Sequence, residues 1–300
     1  MNKIAIITDS SCNLNSKLKE EFGVNEIVPM HYTFLGVDYD ADGDWKKMPA
    51  QDYYNAMRNG AMGKSSLITS KEYADAFRKY LDQGYDVLSI SCTGALSKSV
   101  NESYKAQEEL KDQYPNQKIR CIDSANCTFS LSMLIKDAYE LIQKGTELDE
   151  VVKWIEENKH FYNEVGTVDK LTYLRQAGRI SASAAFFGGV FSVKPIVVYD
   201  MEGHNVAIEK VKGRKKSFET CADYIKKYAN ITDHKTIYIA HADCFDEAKE
   251  LSEMIQARFS EKLDFVIDYI EPGVGSSVGP GTVIISFFGT KEMRLLNNKD

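Results

Sequence analysis

The architecture of this chain follows from residues 86–123, DVLSISCTGALSKSVNESYKAQEELKDQYPNQKIRCID. Asp86 to Ser91 (DVLSIS) and Lys118 to Asp123 (KIRCID) are short runs rich in branched apolar residues, which is typical of buried strands. Between them, the apolar spacing of Ser97 to Gln113 predicts a helix. Strand, helix and strand in this order indicate a βαβ unit, so the two strands are expected to lie parallel in one sheet.

The same alternation extends to both sides of this unit in the first half of the chain. It predicts a strand at Lys3 to Thr8 and a strand or strand pair at Glu26 to Leu35. The predicted helices of this half are Asn15 to Phe22, Ala50 to Arg58, Lys71 to Leu81 and Phe129 to Lys144. These elements predict a mostly parallel sheet covered by helices.

The second half has a different pattern, in which some strands follow one another without a helix. Its predicted strands are Glu164 to Thr167, Val193 to Tyr199, Asn205 to Lys210, Lys235 to Ala240, Phe265 to Ile270 and Thr282 to Phe288, and its predicted helices are Ser217 to Tyr228 and Phe245 to Phe259. We therefore expect two α/β domains: residues 1–160 with a parallel sheet and residues 161–300 with a mixed sheet.

Composition and charge narrow the classes of function. Hydrophobic residues make up 43% of the chain and charged residues 27%, as in globular proteins. The formal net charge is −7, and the sequence contains only one long basic tract, Lys210 to Lys216. Nucleic acid is therefore not an expected partner. No apolar run approaches the roughly 18 residues that cross a membrane, and Ile4 to Ile7 is too short for the core of a signal peptide. We expect a cytoplasmic protein without an integral membrane segment.

Small polar residues follow three of the predicted strands. The carboxyl ends of parallel strands lie along one edge of a sheet, where loops present backbone N–H groups to ligands. The residues concerned are Ser10, Ser11, Thr93, Gly94, Ser97 and Ser124, together with Ser65 and Ser66 from a separate Gly-Lys-Ser-Ser stretch. They predict a shared polar pocket. The alternative for each cluster is a turn or helix N-cap without a ligand.

Two glycine-containing stretches call for interpretation. Gly63 to Ser66 imitates the end of a phosphate-binding P-loop, but the glycine that the motif needs is replaced by Arg58, so no nucleotide site is predicted. Gly273 to Gly281 (GVGSSVGPG) is interpreted as a loop whose backbone approaches a ligand or another loop closely. A tight turn before the next strand is the alternative.

The sequence predicts no catalytic residue, metal ligand or cofactor. The five histidines have no nucleophile or zinc spacing, and the six scattered cysteines are predicted to be reduced core residues. Leu171 to Ile180 is predicted to be an apolar helix. The small residues and aromatics of Ser181 to Phe191 that follow it would suit either close core packing or an apolar tunnel.

The motifs, taken together, resemble the DegV family of bacterial fatty-acid-binding proteins. The resemblance spans nearly the whole chain and is carried by Thr8-Asp9-Ser10-Ser11, Lys64-Ser65-Ser66, Thr93-Gly94-Ala95-Leu96-Ser97, Ile122-Asp123-Ser124, Leu174 to Ile180, Lys194-Pro195-Ile196 and Gly279-Pro280-Gly281. It implies two α/β domains that bury one long-chain fatty acid between them, with hydroxyls and backbone amides holding the carboxylate. Some members serve as the acyl-carrying subunit of a fatty acid kinase.

The resemblance also implies roles for particular residues. The pocket threonine in the Lys-Thr-Ser motif of the family falls on Ser65. The Ser-Ser pair that shortly precedes its Leu-Ser-Gly-Thr motif falls on Thr93 and Gly94. Where the family has a histidine, this chain has Ser277, which can donate a hydrogen bond but cannot titrate near neutral pH. Arg179 belongs to the segment that the family uses near the pocket entrance and its protein partner, although it could equally pair with a carboxylate of the fold.

The leading hypothesis is thus a carrier that buries one long-chain fatty acid and has a fatty acid kinase as a potential partner. Its predicted ligand-binding residues are Ser65, Ser66, Thr93, Gly94, Ser97, Ser124, Ser277 and Gly279, with Arg179 at the entrance. Two alternatives stay open. One is an enzyme or phosphoryl-transfer component acting on a small ligand in the same crevice, and the other is a sensor whose partner detects ligand occupancy.

Overall fold

The computed structural model describes residues 3–180, 193–232 and 234–298. The strands are β1 Ile4–Asp9, β2 Glu26–Val28, β3 His31–Phe34, β4 Val37–Asp40, β5 Lys64–Ser66, β6 Asp86–Ser91, β7 Ile119–Asp123, β8 Tyr162–Thr167, β9 Val193–Tyr199, β10 Asn205–Lys212, β11 Thr236–His241, β12 Asp264–Tyr269 and β13 Val283–Phe288. The helices are α1 Ser16–Glu21, α2 Ala50–Arg58, α3 Ser70–Leu81, α4 Ser99–Leu110, α5 Thr128–Gln143, α6 Leu148–Asn158, α7 Thr172–Ala177, α8 Arg214–Tyr228, α9 Phe245–Gln256 and α10 Pro272–Val278. The predicted segment Ser181 to Phe191 lies outside the described residues.

The first sheet has the strand order β2-β1-β6-β7 and is parallel throughout. Every residue of β6 is buried, as expected for a strand covered by helices on both faces. The predicted βαβ unit is present as β6, α4 and β7. The prediction of a parallel sheet in the first half is confirmed.

The second sheet has the order β10-β9-β8-β13-β11-β12. Its strand pairs are antiparallel except for β11 with β12, which is parallel. The predicted mixed sheet is therefore confirmed.

A third sheet, which the sequence pattern did not predict, has the order β4-β3-β5 and is antiparallel. In it Ser65 of β5 lies opposite Tyr32 of β3. The strand β5 is three residues long and polar, so it shows no periodicity by which a strand is recognised. It forms because the edge of β3 supplies its partner.

The two large sheets share part of one core. Helix α5 lies between them, and Phe129 at its start packs on Tyr238 of β11 with the ring centroids 5.4 Å apart. Tyr238 and Ile284 belong to the same buried cluster as Ile6 of β1. The strands up to residue 123 and those from residue 162 belong to different sheets. The domain boundary near residue 160 stays a prediction, since the shared core joins the two parts.

The interpretation of Gly273 to Gly281 as a loop is wrong for its first part, because Pro272–Val278 is helix α10. Pro272 occupies a first-turn position, and the Glu271 side chain accepts hydrogen bonds from the first backbone N–H groups. Gly279 ends the helix with φ +78°. The close approach is to a helix instead of a ligand or another loop: a Cβ on Gly275 would lie 2.4 Å from the hydroxyl oxygen of Tyr54 on α2.

Candidate functional site

A cavity of about 290 Å³ lies at the carboxyl ends of β1 and β6, between the third sheet and α10. We call it the outer cavity. Its polar lining consists of five serines, two cations and one amide, Ser11, Ser65, Ser66, Ser97, Ser277, Lys98, Arg179 and Asn205. The structure thus brings five of the sequence-predicted site residues, and Ser11 of the first strand-end cluster, to one place.

A second, narrower cavity of about 40 Å³ adjoins the first and reaches the face of the second sheet. We call it the inner cavity. It is lined by apolar side chains that include Val168, Val197, Val198 and Ile284, and by the polar residues Thr128, Glu164, Thr167, Tyr199 and Thr282. The two cavities have in common Leu96, Cys127, Leu174, Asn205, Val274 and Val278. Because the same side chains line both, the two cavities lie next to each other.

Strand β5 and helix α10 position two of the serines on facing walls. A Cβ on Gly63 would lie 2.7 Å from the Ser276 Cβ, so glycine is what lets β5 approach α10. Ser65 follows on β5, and Ser277 lies on the last turn of α10. Both are half-buried, and within the described ranges neither hydroxyl has a protein hydrogen-bond partner. These two hydroxyls are free to bind a ligand.

Tyrosines of α2 hold α10 in this place. The Tyr53 hydroxyl donates to the Pro272 carbonyl at 3.0 Å, and the Tyr54 hydroxyl donates to the Ile270 carbonyl at 2.9 Å. Both rings are fully buried. The short, glycine-rich helix α10 is therefore held in place by the two buried tyrosines of α2.

Ser97 and Ser11 are held by their neighbours. The Ser97 hydroxyl donates to Ser99 Oγ at 3.0 Å at the start of α4. The Ser11 hydroxyl donates to Asp9 Oδ1, and Asp9 Oδ2 accepts from the Cys92 backbone N–H at 2.8 Å. These contacts fix the loops after β1 and β6, and each hydroxyl oxygen keeps acceptor capacity toward the cavity.

Two cations lie at the opening. Arg179 is exposed, and its Nε donates to the Leu96 carbonyl at 3.2 Å. Lys98 is also exposed, with its Nζ 3.4 Å from the Gly94 carbonyl. Neither forms an ion pair with a carboxylate in the parts of the chain that the structure describes. The opening is therefore electropositive although the whole chain carries a negative net charge.

Four predicted site residues do not line either cavity. The Thr93 hydroxyl is buried and donates to the Glu202 carbonyl at 3.2 Å. The Gly94 backbone N–H donates to Asp123 Oδ2 at 2.9 Å. Ser124 exchanges hydrogen bonds with the Asn126 backbone, and Gly279 packs against the Tyr173 ring. These residues shape the turns around the cavity, as the capping alternative expected.

Sequence reasoning missed Lys98 and the polar residues of the inner cavity. Lys98 directly follows the predicted Ser97, and its position after a strand end was the available signal. Glu164 and Thr167 lie on β8, whose apolar and polar residues gave no sign of a ligand. Their place is set by the packing of β8 in the centre of the second sheet.

Two buried carboxyl groups lie beneath the outer cavity. Burial raises the pKa of Asp9, and it raises the pKa of Glu271 to about 8. The Glu271 carboxylate accepts from Gly273 N–H at 2.8 Å and from Val274 N–H at 2.5 Å. Near neutral pH most Glu271 side chains are therefore protonated, which limits the negative charge under the site.

The described lining of the two cavities holds no recognisable arrangement of nucleophile and base. No histidine belongs to the described lining of either cavity. The six cysteines are free thiols, and Cys121 and Cys244 are only half-buried. The hydrogen bond that the neutral Cys92 thiol makes with Cys127, together with burial, holds the pKa of Cys92 well above its usual value. A neutral thiol is a poor nucleophile. Hydroxyls and cations can instead bind an anionic head group by charge-assisted hydrogen bonds.

Other surface clefts have a different character. One of about 350 Å³ between α5 and β11 is lined by Lys136, Asp137 and Glu140, and one of about 620 Å³ is lined by Arg58, Asp243 and other charged residues. Arg58 and Asp243 form an ion pair across the second cleft. None of the sequence-predicted site residues belongs to the described lining of these two clefts, so we place the candidate site in the outer and inner cavities.

One cluster has the residue types of a metal site. Asp200, Glu202 and His204 bring ligand atoms within 4.8 Å of one another in the turn between β9 and β10. Asp200 Oδ1 accepts from the backbone N–H of Glu202 at 3.0 Å and of His204 at 2.8 Å. These hydrogen bonds stabilise the turn, and this explains why the three side chains lie close together.

Comparison with known proteins shows which family shares this architecture. A family model described as "Uncharacterised protein, DegV family" matches residues 3–290. This chain belongs to the DegV family. A DegV domain-containing protein of Clostridium perfringens is 35% identical to it over 295 residues, which is 97% of this chain and 100% of the relative.

Solved DegV-type structures share the fold. A DegV-family protein of Thermus thermophilus, described as fatty-acid-binding, superposes with a TM-score of 0.84 at 23% identity, over 96% of this chain and 100% of the other. A stearic-acid-binding protein of Eubacterium ventriosum superposes with a TM-score of 0.82 at 25% identity, over 98% of this chain and 100% of the other. The expected two-domain DegV fold is confirmed. In the described part of this DegV chain, no helix is both long and apolar enough to cross a membrane.

Proposed function

We propose that this DegV-family protein binds one long-chain fatty acid, with the carboxylate in the outer cavity and the acyl chain directed toward the inner cavity. The observation that carries the proposal is that a polar and a mostly apolar cavity adjoin each other and share lining residues. Free hydroxyls and unpaired cations lie at one end, and a mostly apolar surface of the second sheet lies at the other. A molecule with an anionic head and an apolar chain fits this polarity.

The head group would be held by hydroxyls from two different elements. Ser65 and Ser277 have no protein partner in the described chain, so each can donate to a carboxylate oxygen. Arg179 and Lys98 supply positive charge at the opening, whereas the Ser97 hydroxyl already donates to Ser99 Oγ. Charge-assisted hydrogen bonds of this type contribute about 1.5 to 3 kcal/mol each.

The chain would supply most of the affinity. Burying roughly 14 methylenes at about 0.8 kcal/mol each offers on the order of 11 kcal/mol before the cost of association. That is enough for submicromolar binding with a modest head-group contribution. The proposal therefore does not need the titratable histidine that Ser277 replaces.

A carrier role is the finer part of the proposal. A protein that holds the carboxylate near its opening can present it to a second protein, such as the ATP-using subunit of a fatty acid kinase. Exposed Arg179 and Lys98 beside the opening would suit an acidic partner surface. Formation of acyl phosphate on mixing loaded protein, ATP and a candidate kinase would test this role, and its absence with every candidate would restrict the function to storage or sensing.

The central test is mass spectrometry of an organic extract from freshly purified protein. We expect one saturated or singly unsaturated long-chain fatty acid per chain. A lipid-free extract, together with no binding of added fatty acids, would refute the proposal.

A matched pair of variants locates the ligand. Leu96 lines both cavities, so Leu96→Glu places a carboxylate against the acyl chain and should abolish co-purification. Leu35→Glu introduces the same group on a side chain that is 65% exposed, and it should leave the ligand in place. Equal lipid content in the two variants would place the fatty acid elsewhere.

A further inference from the structure

Two of the six cysteines lie in the wall of the candidate site. Cys92 and Cys127 both line the outer cavity, and Cys127 also lines the inner one. Their exposed fractions are only 2% and 4%, so the cavity is the route by which a small reagent reaches their sulfur atoms. The other four cysteines belong to the described lining of neither cavity. These two thiols thus differ from ordinary core cysteines, which only fill space.

The two cysteine side chains are in contact with each other. They form a small buried cluster with Tyr199, and a hydrogen bond joins the two thiols. Cys92 directly follows β6, whereas Cys127 is the N-cap residue of α5. The contact therefore joins the turn after one strand of the first sheet to the beginning of a helix that comes later in the chain.

Backbone hydrogen bonds hold these two segments side by side. The Thr93 N–H donates to the Asn126 carbonyl at 2.9 Å, and the Ser124 N–H donates to the Ser91 carbonyl at 3.2 Å. Each cysteine is thus next to a residue that is bonded to the other segment. A disulfide needs Cα atoms no more than about 7 Å apart and side chains that point toward each other. Neighbouring backbone and touching thiols suit that requirement without a large movement of either segment.

The surroundings of the two sulfur atoms differ. No side chain caps the N-terminus of α5, a helix of 16 residues, and the positive end of its dipole stabilises negative charge that develops on the Cys127 sulfur. Burial and the hydrogen bond with Cys127 keep Cys92 a neutral thiol. Cys127 is therefore suited to attack an oxidant first, and Cys92 is placed to react with the oxidised sulfur that results.

We propose that Cys92 and Cys127 are a dithiol site in the wall of the outer cavity, which hydrogen peroxide oxidises to a disulfide. The Cys127 sulfur attacks one peroxide oxygen, the O–O bond breaks, and the hydroxide that leaves takes up the thiol proton as water. The Cys92 sulfur then attacks the sulfenic sulfur, the S–S bond forms, and a second water leaves. One peroxide is reduced by two electrons, and the two thiols are oxidised.

A bound ligand should control this reaction. An acyl chain that occupies the outer and inner cavities covers the space through which peroxide reaches the two sulfur atoms. The disulfide is then expected to form in the empty protein and to be suppressed in the loaded one. This second part rests on the proposed function, whereas the assignment of the dithiol site does not.

The test treats reduced, delipidated full-length protein with hydrogen peroxide. We expect the loss of two of the six free thiols, and peptide mass spectrometry should find a single linkage, between Cys92 and Cys127. In Cys92→Ser the reaction should stop at a sulfenic acid on Cys127, which a sulfenic-acid-specific diketone traps. In Cys127→Ser the oxidation of Cys92 should be at least roughly tenfold slower, because a neutral thiol is a poor nucleophile.

A matched control replaces a cysteine that is equally buried but lies elsewhere. Cys221 belongs to α8 and to the core of the second sheet, and its exposed fraction is 0%. Cys221→Ala should keep the wild-type linkage and rate. The ligand is tested by repeating the wild-type reaction with octadecanoic acid, which should lower the rate in proportion to the occupied fraction of the protein.

The outcomes separate the two proposals. Survival of both thiols in the empty wild-type protein, or a linkage between other cysteines, would overturn the dithiol site, and neither result depends on the folding of a variant. If octadecanoic acid binds and the disulfide forms equally fast, the control by ligand is wrong while the proposed function stands. If octadecanoic acid does not bind but Cys92 and Cys127 become linked, the proposed function fails and the dithiol site is confirmed.

Discussion

The outer and inner cavities differ in how their polar groups are used. In the outer cavity Ser65, Ser277 and the two cations face open space and hold few contacts with the fold. In the inner cavity Glu164 belongs to a buried network that includes Thr128 and Arg294. Substitution of the polar residues of the outer cavity should therefore change the free energy of unfolding only modestly. Substitution of those at the inner cavity should affect both the stability of the fold and ligand binding.

The largest expected effect is on the free energy of unfolding, and it comes from removing the buried cation Arg294 near the inner cavity. Arg294→Met should lower the free energy of unfolding by about 3 to 5 kcal/mol, because buried carbonyls and Glu164 lose their partner. Chemical denaturation measures this loss. Arg78→Met is the control, since Arg78 forms ion pairs on the exposed surface and should cost under about 1 kcal/mol. Equal losses would mean that the inner network does not stabilise the fold.

The next prediction concerns pH and the carboxyl beneath the outer cavity. The folded protein holds a proton on Glu271 up to a pKa of about 8, above the ordinary 4.5 of an unfolded glutamate. The stability linked to that proton is present at low pH and is lost as the pH rises through about 8. Relative to Glu271→Gln, the wild type should lose on the order of 3 to 4 kcal/mol of unfolding free energy between pH 5 and pH 8.

Urea titrations at several pH values measure that difference. Glu250→Gln, on the exposed face of α9, is the control and should run parallel to the wild type. A difference between wild type and Glu271→Gln that stays constant with pH would show that Glu271 is ionised in the folded state.

A smaller effect separates two hydroxyls that the sequence predicted to act alike. Ser65→Ala should weaken fatty-acid binding roughly tenfold, since it removes a donor to the carboxylate. Thr93→Val should leave the affinity nearly unchanged, because the Thr93 hydroxyl donates to Glu202 and lines neither cavity. Isothermal titration of delipidated protein compares the two. A stronger loss in Thr93→Val would place the head group nearer to the β6 turn.

The smallest effect concerns the exposed cations. Arg179→Ala and Lys98→Ala should slow the association of fatty-acid anions by a few-fold at low ionic strength, with under about 1 kcal/mol lost in stability. The difference should vanish in high salt, because ions screen exposed charges. Stopped-flow binding at two salt concentrations measures it, with Lys105→Ala on α4 as the control. A salt-independent loss in Arg179→Ala would indicate direct contact with the carboxylate.

The sequence predicted the elements whose side chains repeat regularly. Strands β1 and β6 are apolar runs, and α3 begins with a capping box between Thr69 and Glu72. Such signals are local, so they can be recognised in the sequence without knowing which other segments these elements pack against. Strand β5 and helix α10 were missed because one is too short for periodicity and the other combines glycine with a cap from Glu271.

For the site, the sequence identified the edge of the sheet but not every side chain. Hydroxyls after β1 and β6 predicted a polar pocket, and Ser97 lines it. Thr93, four residues earlier, turns into the fold instead. Residue type and strand end are local properties, whereas the direction of one hydroxyl depends on the turn around it.

What the sequence by itself determined is most of the strands and helices, the parallel and mixed sheets, and the supply of hydroxyls at the strand ends. These follow from hydrophobic periodicity and from the chirality of βαβ connections, which act over short spans of chain. Only the tertiary structure decided that Glu164, Thr128 and Tyr199 meet at the inner cavity. Their positions depend on the order of strands in the second sheet, and that order is fixed by the packing of distant segments rather than by any local pattern.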